Sequence, residues 1–518
     1  MVRQEIENLI QRAVRKKVKI IIERPTKNVF GDYYTNLAIV VKKDPHEIIS
    51  RIKSNIFEKV EIKNNFINFF LSKKYLQKQL KEILKQKDKF GELKIGKNKK
   101  TNIEFISANP TGPLHIGNGR GAFFGDVLAN VLEKAGYKVF REYYVNDAKN
   151  NNQIQELGKT ALGEGTSYLT AYLAELIKKL NPYLKKIKSE TDVGYFLSQN
   201  ILGDIRKFIK EKLKIKFDFW VFEQNIYRQN RVKKVYEFLK EKKLIYKKDE
   251  AWWLDLSKFN QKDEVLIKEN GQPTYFLSDI AYHKYKIERG FKKIINIWGA
   301  DHQGHIPRMK AVMEILGYKG EFDILITQIV RLKNRKMSKR KGEIITLEEL
   351  INEVGLDVAR FFYLTKSLDS QMEFDLDLAK EQSEKNPVYY IQYAYTRICG
   401  ILRKTKNQKS PKESLCLSME QAKTKNLDLL NHPSELALIK QLVRFPEIIE
   451  DTARDYQVQR IPKYALELAN SFHKFYQDCR VLTEDKNLKE ARLLLILATK
   501  TVLNNTLNIM GISTPEKM

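Results

Sequence analysis

The chain has 518 residues, 42% hydrophobic and 11% aromatic, a globular make-up with room for about two to four domains. Its 93 Lys and Arg against 64 Asp and Glu give a net charge of +29, so a polyanionic partner such as nucleic acid is expected, although an AT-rich genome would also favour lysine. No run reaches the roughly 18 apolar residues of a membrane span, and Cys399, Cys416 and Cys479 lack zinc or disulfide spacing.

The first residues, Met1 to Asn8, have no apolar signal segment, so a cytoplasmic location is expected. Residues 1–97 read as a small α+β domain. Ile6, Leu9, Ile10 and Ala13 mark a first helix, Phe30-Gly31-Asp32-Tyr33 a turn, and Leu37 to Val41 an apolar stretch. Strands at 60–63 and 66–70 flank Asn64-Asn65, a hairpin signal, and a helix follows over 73–87. Gly91, Gly96 and Asn98 to Lys100 form the boundary.

The second domain, 98–375, opens on an apolar strand, Ile103 to Ile106, broken by Pro110, Gly112 and Pro113. After His115-Ile116-Gly117-Asn118 a helix is marked by Ala122, Phe123, Val127, Leu128, Val131 and Leu132, and Gly136 closes it. A strand, a tight turn and a helix N-terminus make a phosphate site, since the first amides are unpaired and lie at the positive dipole end. His115 and Asn118 could both donate to phosphate oxygens there, and Gly117 lets a nucleotide approach the backbone. Another strand is expected at 139–145. A mostly polar helical insertion is expected over about 150–270, and the sheet is read to resume at 252–254, 275–277, 293–298 and 323–330. Strands alternating with helices predict an α/β fold with a doubly wound parallel sheet. From about Asp377 strand signals vanish, and 376–518 reads as an all-α domain with helices at 387–402, 435–449 and 491–510 and a loop at 404–426. No internal repeats are evident.

Two further stretches carry chemistry. Arg335 to Gly342 places Lys336 and Lys339 around Met337-Ser338 on a basic loop, able to neutralise a leaving pyrophosphate. By itself it reads better as a solvated basic loop; its place between strand and helix, about 220 residues beyond the first motif, reverses that. Trp298-Gly299-Ala300-Asp301-His302-Gln303-Gly304-His305 ends an apolar strand, where open α/β sheets bind ligands. Asp301, His302 and His305 could be metal ligands, but no further well-spaced partner accompanies them, and a nucleoside contact through Gly299, Asp301 and His302 fits better.

His115 to Asn118 and Lys336 to Arg340, in this order and separation, resemble the HIGH and KMSKS signatures of class I aminoacyl-tRNA synthetases. Phe105 to Gly121 is similar to the signature of the arginyl-tRNA synthetases. Tyr144 to Ala148, Gly299 to His302, Asp357 to Arg360, Asn386 to Ala394 and Pro515 to Met518 agree with it, so the likeness spans essentially the whole chain. Asn118 stands in place of the last His of HIGH, and Arg340 in place of the last Ser of KMSKS. Each departure is expected to moderate transition-state binding.

The resemblance implies a Rossmann-like catalytic domain, an N-terminal domain at the tRNA elbow and an anticodon-binding helical domain. It implies that ATP and Mg²⁺ are used without zinc, and that L-arginine is joined through an adenylate to tRNA(Arg). A monomer with no obligate protein partner and no membrane attachment is the usual form. Glu104, Tyr275 and Asp279 match positions that hold the arginine side chain, and Asn109 and Gln303 those that hold its α-amino and carboxylate end. The chemistry agrees: carboxylates are the natural partners of a guanidinium. Glu104 is an acid in an apolar run, costly without a cation. Tyr275 and Asp279 stand one helical turn apart. Asp279 would otherwise read as a helix cap or surface acid. Tyr389, Tyr390, Tyr393, Tyr395 and Arg397 supply groups for stacking on unpaired bases, although at least half of the tyrosines suit an aromatic core equally well. Three alternatives are weaker. A cysteinyl enzyme would need zinc-spaced cysteines, a small-molecule adenylyltransferase would not need the helical domain or the charge, and a non-catalytic paralogue would not need His115 and both loop lysines.

Overall fold

The computed structural model describes residues 1–15, 18–26, 28–333, 345–407 and 426–518. In the N-terminal part a helix, Val2–Val14, buries Ile6, Ile10 and Ala13 beside a three-stranded antiparallel sheet. Strands β1 (Tyr33–Thr35), β2 (Phe57–Lys63) and β3 (Phe66–Leu71) lie in the order β1-β3-β2. Asn64 and Asn65 both take positive φ, 52° and 62°, the backbone that a two-residue hairpin needs and that Asn tolerates.

The central sheet joins β4 (Lys100–Glu104), β5 (Lys138–Val145), β6 (Phe219–Phe222), β10 (Lys293–Gly299) and β11 (Glu321–Thr327). Its order is β11-β10-β4-β5-β6 and every pairing is parallel. From β4 the chain winds outward through β5 and β6, then returns to the other side of β4 as β10. The reversal falls between β4 and β10, so the segments after these two strands flank the crevice where doubly wound sheets bind ligands.

Three expectations are corrected. Trp252-Trp253-Leu254 lies in β8 (Ala251–Leu254), part of a separate antiparallel sheet with β7 (Ile245–Lys248) and β9 (Glu264–Ile267). The tight turn at Asp249-Glu250, both at positive φ, sends the chain straight back, a connection a parallel sheet cannot use. Tyr275-Phe276-Leu277 opens a helix, Tyr275–Glu288, because Ile280 and Ala281 continue the buried face one turn later. That helix meets the one-turn spacing of Tyr275 and Asp279. Finally, β6 lies inside the stretch read as helical insertion; only four residues long, it is hidden among lysines and glutamates.

Strands β12 (Val330–Lys333) and β13 (Met372–Asp375) form a parallel pair beyond β11. The C-terminal part is helical: Pro387–Asn407, Pro433–Val443, Phe445–Asp455, Arg460–Asp478 and Lys486–Met510. The last of these is long and apolar enough to match a membrane span, but most of that stretch is buried against neighbouring helices.

Candidate active site

The turn after β4 is built by close approaches. Ile106 and Ser107 take positive φ, 66° and 40°, a backbone that a β-branched isoleucine adopts only when its surroundings enforce it. Ser107 enforces it: its hydroxyl donates to Glu104 Oε1 at 3.1 Å and accepts from the Tyr144 backbone N–H at 3.1 Å. The Tyr143 hydroxyl donates to the Ala108 carbonyl at 2.8 Å, and Asn146 Nδ2 donates to Asn109 Oδ1 at 2.7 Å. The first part of the signature loop, Ser107 to Asn109, is thus held to β5 and the residue that follows it.

The helix Ile116–Lys134 starts at His115 with a reciprocal cap. The Gly117 N–H donates to His115 Nδ1 at 3.0 Å, and the His115 N–H donates to Asn118 Oδ1 at 2.9 Å. Since Nδ1 accepts, the ring's proton sits on Nε2, and desolvation keeps the imidazole's pKa below its usual value. Asn118 spends its oxygen on the cap, and none of the described residues accepts from its amide N–H groups. His115 and Asn118 therefore offer N–H donors at the positive end of a helix dipole. Gly117 makes this possible: a Cβ there would lie 2.8 Å from His115 Cε1. The segment that follows the lysine loop is tied to the same turn, with Ile116 N–H bonded to Ile345 O at 3.1 Å and Leu347 N–H to Leu114 O at 2.8 Å. Lys336, Met337, Ser338, Lys339 and Arg340 lie outside the described residues.

Beside this turn lies an acidic pocket. Asp279, partly open, has no hydrogen bond or ion pair from its carboxylate among the described residues, and burial with the fields of Glu223 and Glu104 holds it well above the usual carboxylate range. Glu223, directly after β6, is enclosed; Oε1 accepts from the Ser278 hydroxyl at 2.7 Å, while the buried Oε2 makes no hydrogen bond among the described residues and has Asn151 and the Ala148 backbone nearby. Its pKa is raised too, chiefly by burial. The Tyr144 hydroxyl is likewise buried and has no partner among the described residues, and its ring stacks on Tyr282 at 3.9 Å. Carboxylates without a cation beside a buried hydroxyl suit a cation that carries hydrogen-bond donors. Glu104 does have its cation: Oε2 accepts from Lys286 Nζ at 2.6 Å.

The other expected residues lie at the start of the Tyr275–Glu288 helix and on the turn after β10. Tyr275 is 57% exposed, and its hydroxyl bonds His305 Nε2 at 2.8 Å. Gln303, Asp301 and His302 are exposed on the short turn after β10, Gly299 is half-buried, and Asp301 stands 3.4 Å from His302. With His305 engaged by Tyr275, this turn is not arranged as a metal cage. The sequence reading missed Ser107, Tyr144, Glu223, Tyr282 and Lys286. Glu223 had one visible signal, an acid directly after the apolar run Phe219 to Phe222.

On the helical part, Tyr390, Tyr393 and Arg397 come together with His473. The rings of Tyr390 and His473 lie 4.5 Å apart, and Arg397 Nη2 donates to the Tyr393 hydroxyl at 2.6 Å while its guanidinium also covers Tyr476. Tyr393 is exposed, whereas Tyr395 goes into the core.

Residues 1–71 match the arginyl tRNA synthetase N terminal domain, residues 79–157 and 165–375 the catalytic domain of class I (R) tRNA synthetases, and 391–518 the DALR anticodon binding domain. The chain is 40% identical to an arginine–tRNA ligase of Carboxydothermus hydrogenoformans, over 96% of this chain and 94% of that one. It is 41% identical to the arginine–tRNA ligase of Syntrophotalea carbinolica, over 96% and 95%. Thermus thermophilus arginyl-tRNA synthetase has the same fold, with a TM-score of 0.79 at 21% identity over the whole of both chains. The signature turn, the pocket and these matches agree, and the chain belongs to the arginyl-tRNA synthetase family of class I aminoacyl-tRNA synthetases.

Proposed function

We propose that arginine activation takes place between the His115 turn and the Asp279 pocket. The observation that carries this is the unpartnered Asp279 carboxylate beside Glu223, whose buried Oε2 makes no hydrogen bond among the described residues either. A guanidinium supplies several N–H groups in one plane and so can serve both acids. Glu104, Tyr275, Asp279 and Glu223 would receive the arginine side chain, and Asn109 and Gln303 its α-amino and carboxylate end.

The carboxylate of arginine attacks the α-phosphorus of ATP, forming the acyl-phosphate bond as the bond to pyrophosphate breaks. His115 Nε2–H and the Asn118 amide stabilise charge on the phosphates, Gly117, Gly299, Asp301 and His302 border the nucleotide, and Lys336 to Lys339 meet the departing pyrophosphate. A hydroxyl of the terminal adenosine of tRNA(Arg) then takes the arginyl group and AMP leaves. No protein nucleophile is needed; positioning and electrostatics carry the reaction. Mg²⁺ travels with ATP. Because the turn offers nitrogen donors, phosphate oxygens and water would hold the cation.

In this reading residues 1–97 contact the tRNA and 376–518 read the anticodon, with Tyr390, Tyr393 and Arg397 as a stacking platform. The +29 charge supports a polyanionic partner, and a translation enzyme works in the cytoplasm. The test is Asp279→Asn. Loss of one partner of an enclosed ion pair costs about 2–5 kcal/mol, so the KM for arginine should rise at least tenfold while that for ATP stays within about threefold. Equal effects on both substrates would remove Asp279 from the pocket.

A further inference from the structure

We propose that Lys286 is the fixed counter-cation of the arginine pocket, a positioning residue that holds Glu104 and limits the pocket's unpaired negative charge. This rests on the reading that Glu104, Glu223 and Asp279 receive arginine. Lys286 lies seven residues beyond Asp279 on the Tyr275–Glu288 helix, two turns along the same face. Its side chain is fully enclosed. Nζ donates to Glu104 Oε2 at 2.6 Å and to Asn296 Oδ1 at 2.8 Å, and it stands 4.5 Å from the centre of the Tyr282 ring.

Packing alone does not call for a charge here, since well-packed apolar residues usually replace a buried ion pair without loss. Glu142 does not need it either. That carboxylate takes a two-pronged bond from Arg289, at 2.5 and 2.9 Å, and the Tyr282 hydroxyl at 2.6 Å. Glu104 is therefore Lys286's main charge. Glu142 and Tyr144 face this region from β5, Glu223 from directly after β6, and Asp279, Tyr282 and Arg289 from the helix. His283 is also there, but burial and Lys286 push its pKa to about 3, so it stays neutral. Arg289 is taken up by Glu142 and Lys286 by Glu104, which leaves Glu223 and Asp279 as two acids without a cation for the guanidinium of arginine. Asp147, whose field also reaches Glu223, is held by Gln199 Nε2 and the Gln224 N–H, each at 3.0 Å. Without Lys286, Glu104 would be a third, and one acid would hold a proton instead of a substrate.

The test is K286M in the full chain, assayed by arginine-dependent ATP–pyrophosphate exchange with tRNA(Arg) across pH. The KM for arginine should rise at least tenfold and the acid limb of its profile move up by about one pH unit, with the KM for ATP within about twofold. The double variant E104Q/K286M again leaves two acids without a cation. Its acid limb should return to the native position even though arginine binding stays weak, and it supplies the answer if K286M alone does not fold. An unmoved limb in K286M, a limb still displaced in the double variant, or equal rises in both KM values would overturn the assignment. Asp279→Asn separates the two claims: if it raises the KM for arginine while K286M moves nothing, only Lys286's role fails, and if it too moves nothing, the pocket itself fails.

Discussion

Asp279 carries the sharpest consequence at the level of single residues. Its carboxyl is raised well above the usual range by burial and by Glu223 and Glu104. The ionised form binds a guanidinium and the protonated form does not. The KM for arginine should therefore fall as pH rises through this elevated pKa and flatten above it, with a proton released on binding. Asp279→Asn should abolish that limb, which exchange kinetics across pH would show. His115 does not confuse the reading, because desolvation pushes it the other way and keeps the ring neutral. At this scale the sequence was informative about residue type and not about partners. Glu104 in an apolar run called for a cation, but that the cation is Lys286, 182 positions away, is a property of the folded pocket. Glu223 and Tyr144 were hidden for the same reason: burial without a partner cannot be seen in one dimension.

The decisive element is the turn from β4 into the Ile116–Lys134 helix. It was legible because glycine and proline interrupt an apolar run immediately before a helical pattern. The cap that aims His115 was not, since it depends on the ring folding back onto Gly117. Gly117→Ala would place a Cβ 2.8 Å from His115 Cε1. Displacing the ring should lower the exchange rate about tenfold, in keeping with loss of part of one charge-stabilising donor, with little change in the KM for arginine. A variant with native kcat would show that His115 does not work from this position. The misread elements share one cause. Short apolar runs such as Tyr275-Phe276-Leu277 and Phe219 to Phe222 do not declare helix or strand, and only their continuation or pairing decides.

Across the whole molecule, long-range polar contacts join the parts. Buried Glu447 accepts from the Arg3 backbone N–H at 3.1 Å, Arg24 Nε at 3.2 Å and the Tyr33 hydroxyl at 2.7 Å, fastening the N-terminal helix and sheet to the C-terminal helices. Arg360 reaches Asp126 Oδ2 at 2.8 Å, Leu213 O at 2.7 Å and Met510 O at 3.1 Å, linking the nucleotide helix, the insertion and the last helix. That is a structural reason for arginine in the Asp357 to Arg360 stretch. Glu447→Ala should loosen the N-terminal part by about 2–4 kcal/mol, allowing for the partial exposure of Arg3 and Arg24. Hydrogen exchange over residues 1–71 would then speed up and the KM for tRNA rise, while the KM for arginine holds. Unchanged exchange there would mean that the docking rests on other contacts, such as Arg3 Nη2 to Asp451 Oδ2 at 2.9 Å and Lys440 to Asp32 at 2.7 Å. Division into an α+β start, a parallel sheet and a helical end was readable from the changing periodicity. The contacts that make the parts one body were not, because they join residues hundreds of positions apart.

Everything above depends on arginine being the amino acid that this site activates with ATP. The direct measurement is ATP–pyrophosphate exchange with each of the twenty amino acids, with and without tRNA(Arg). Arginine alone should drive exchange. Exchange driven by any other amino acid at a comparable rate would contradict the account.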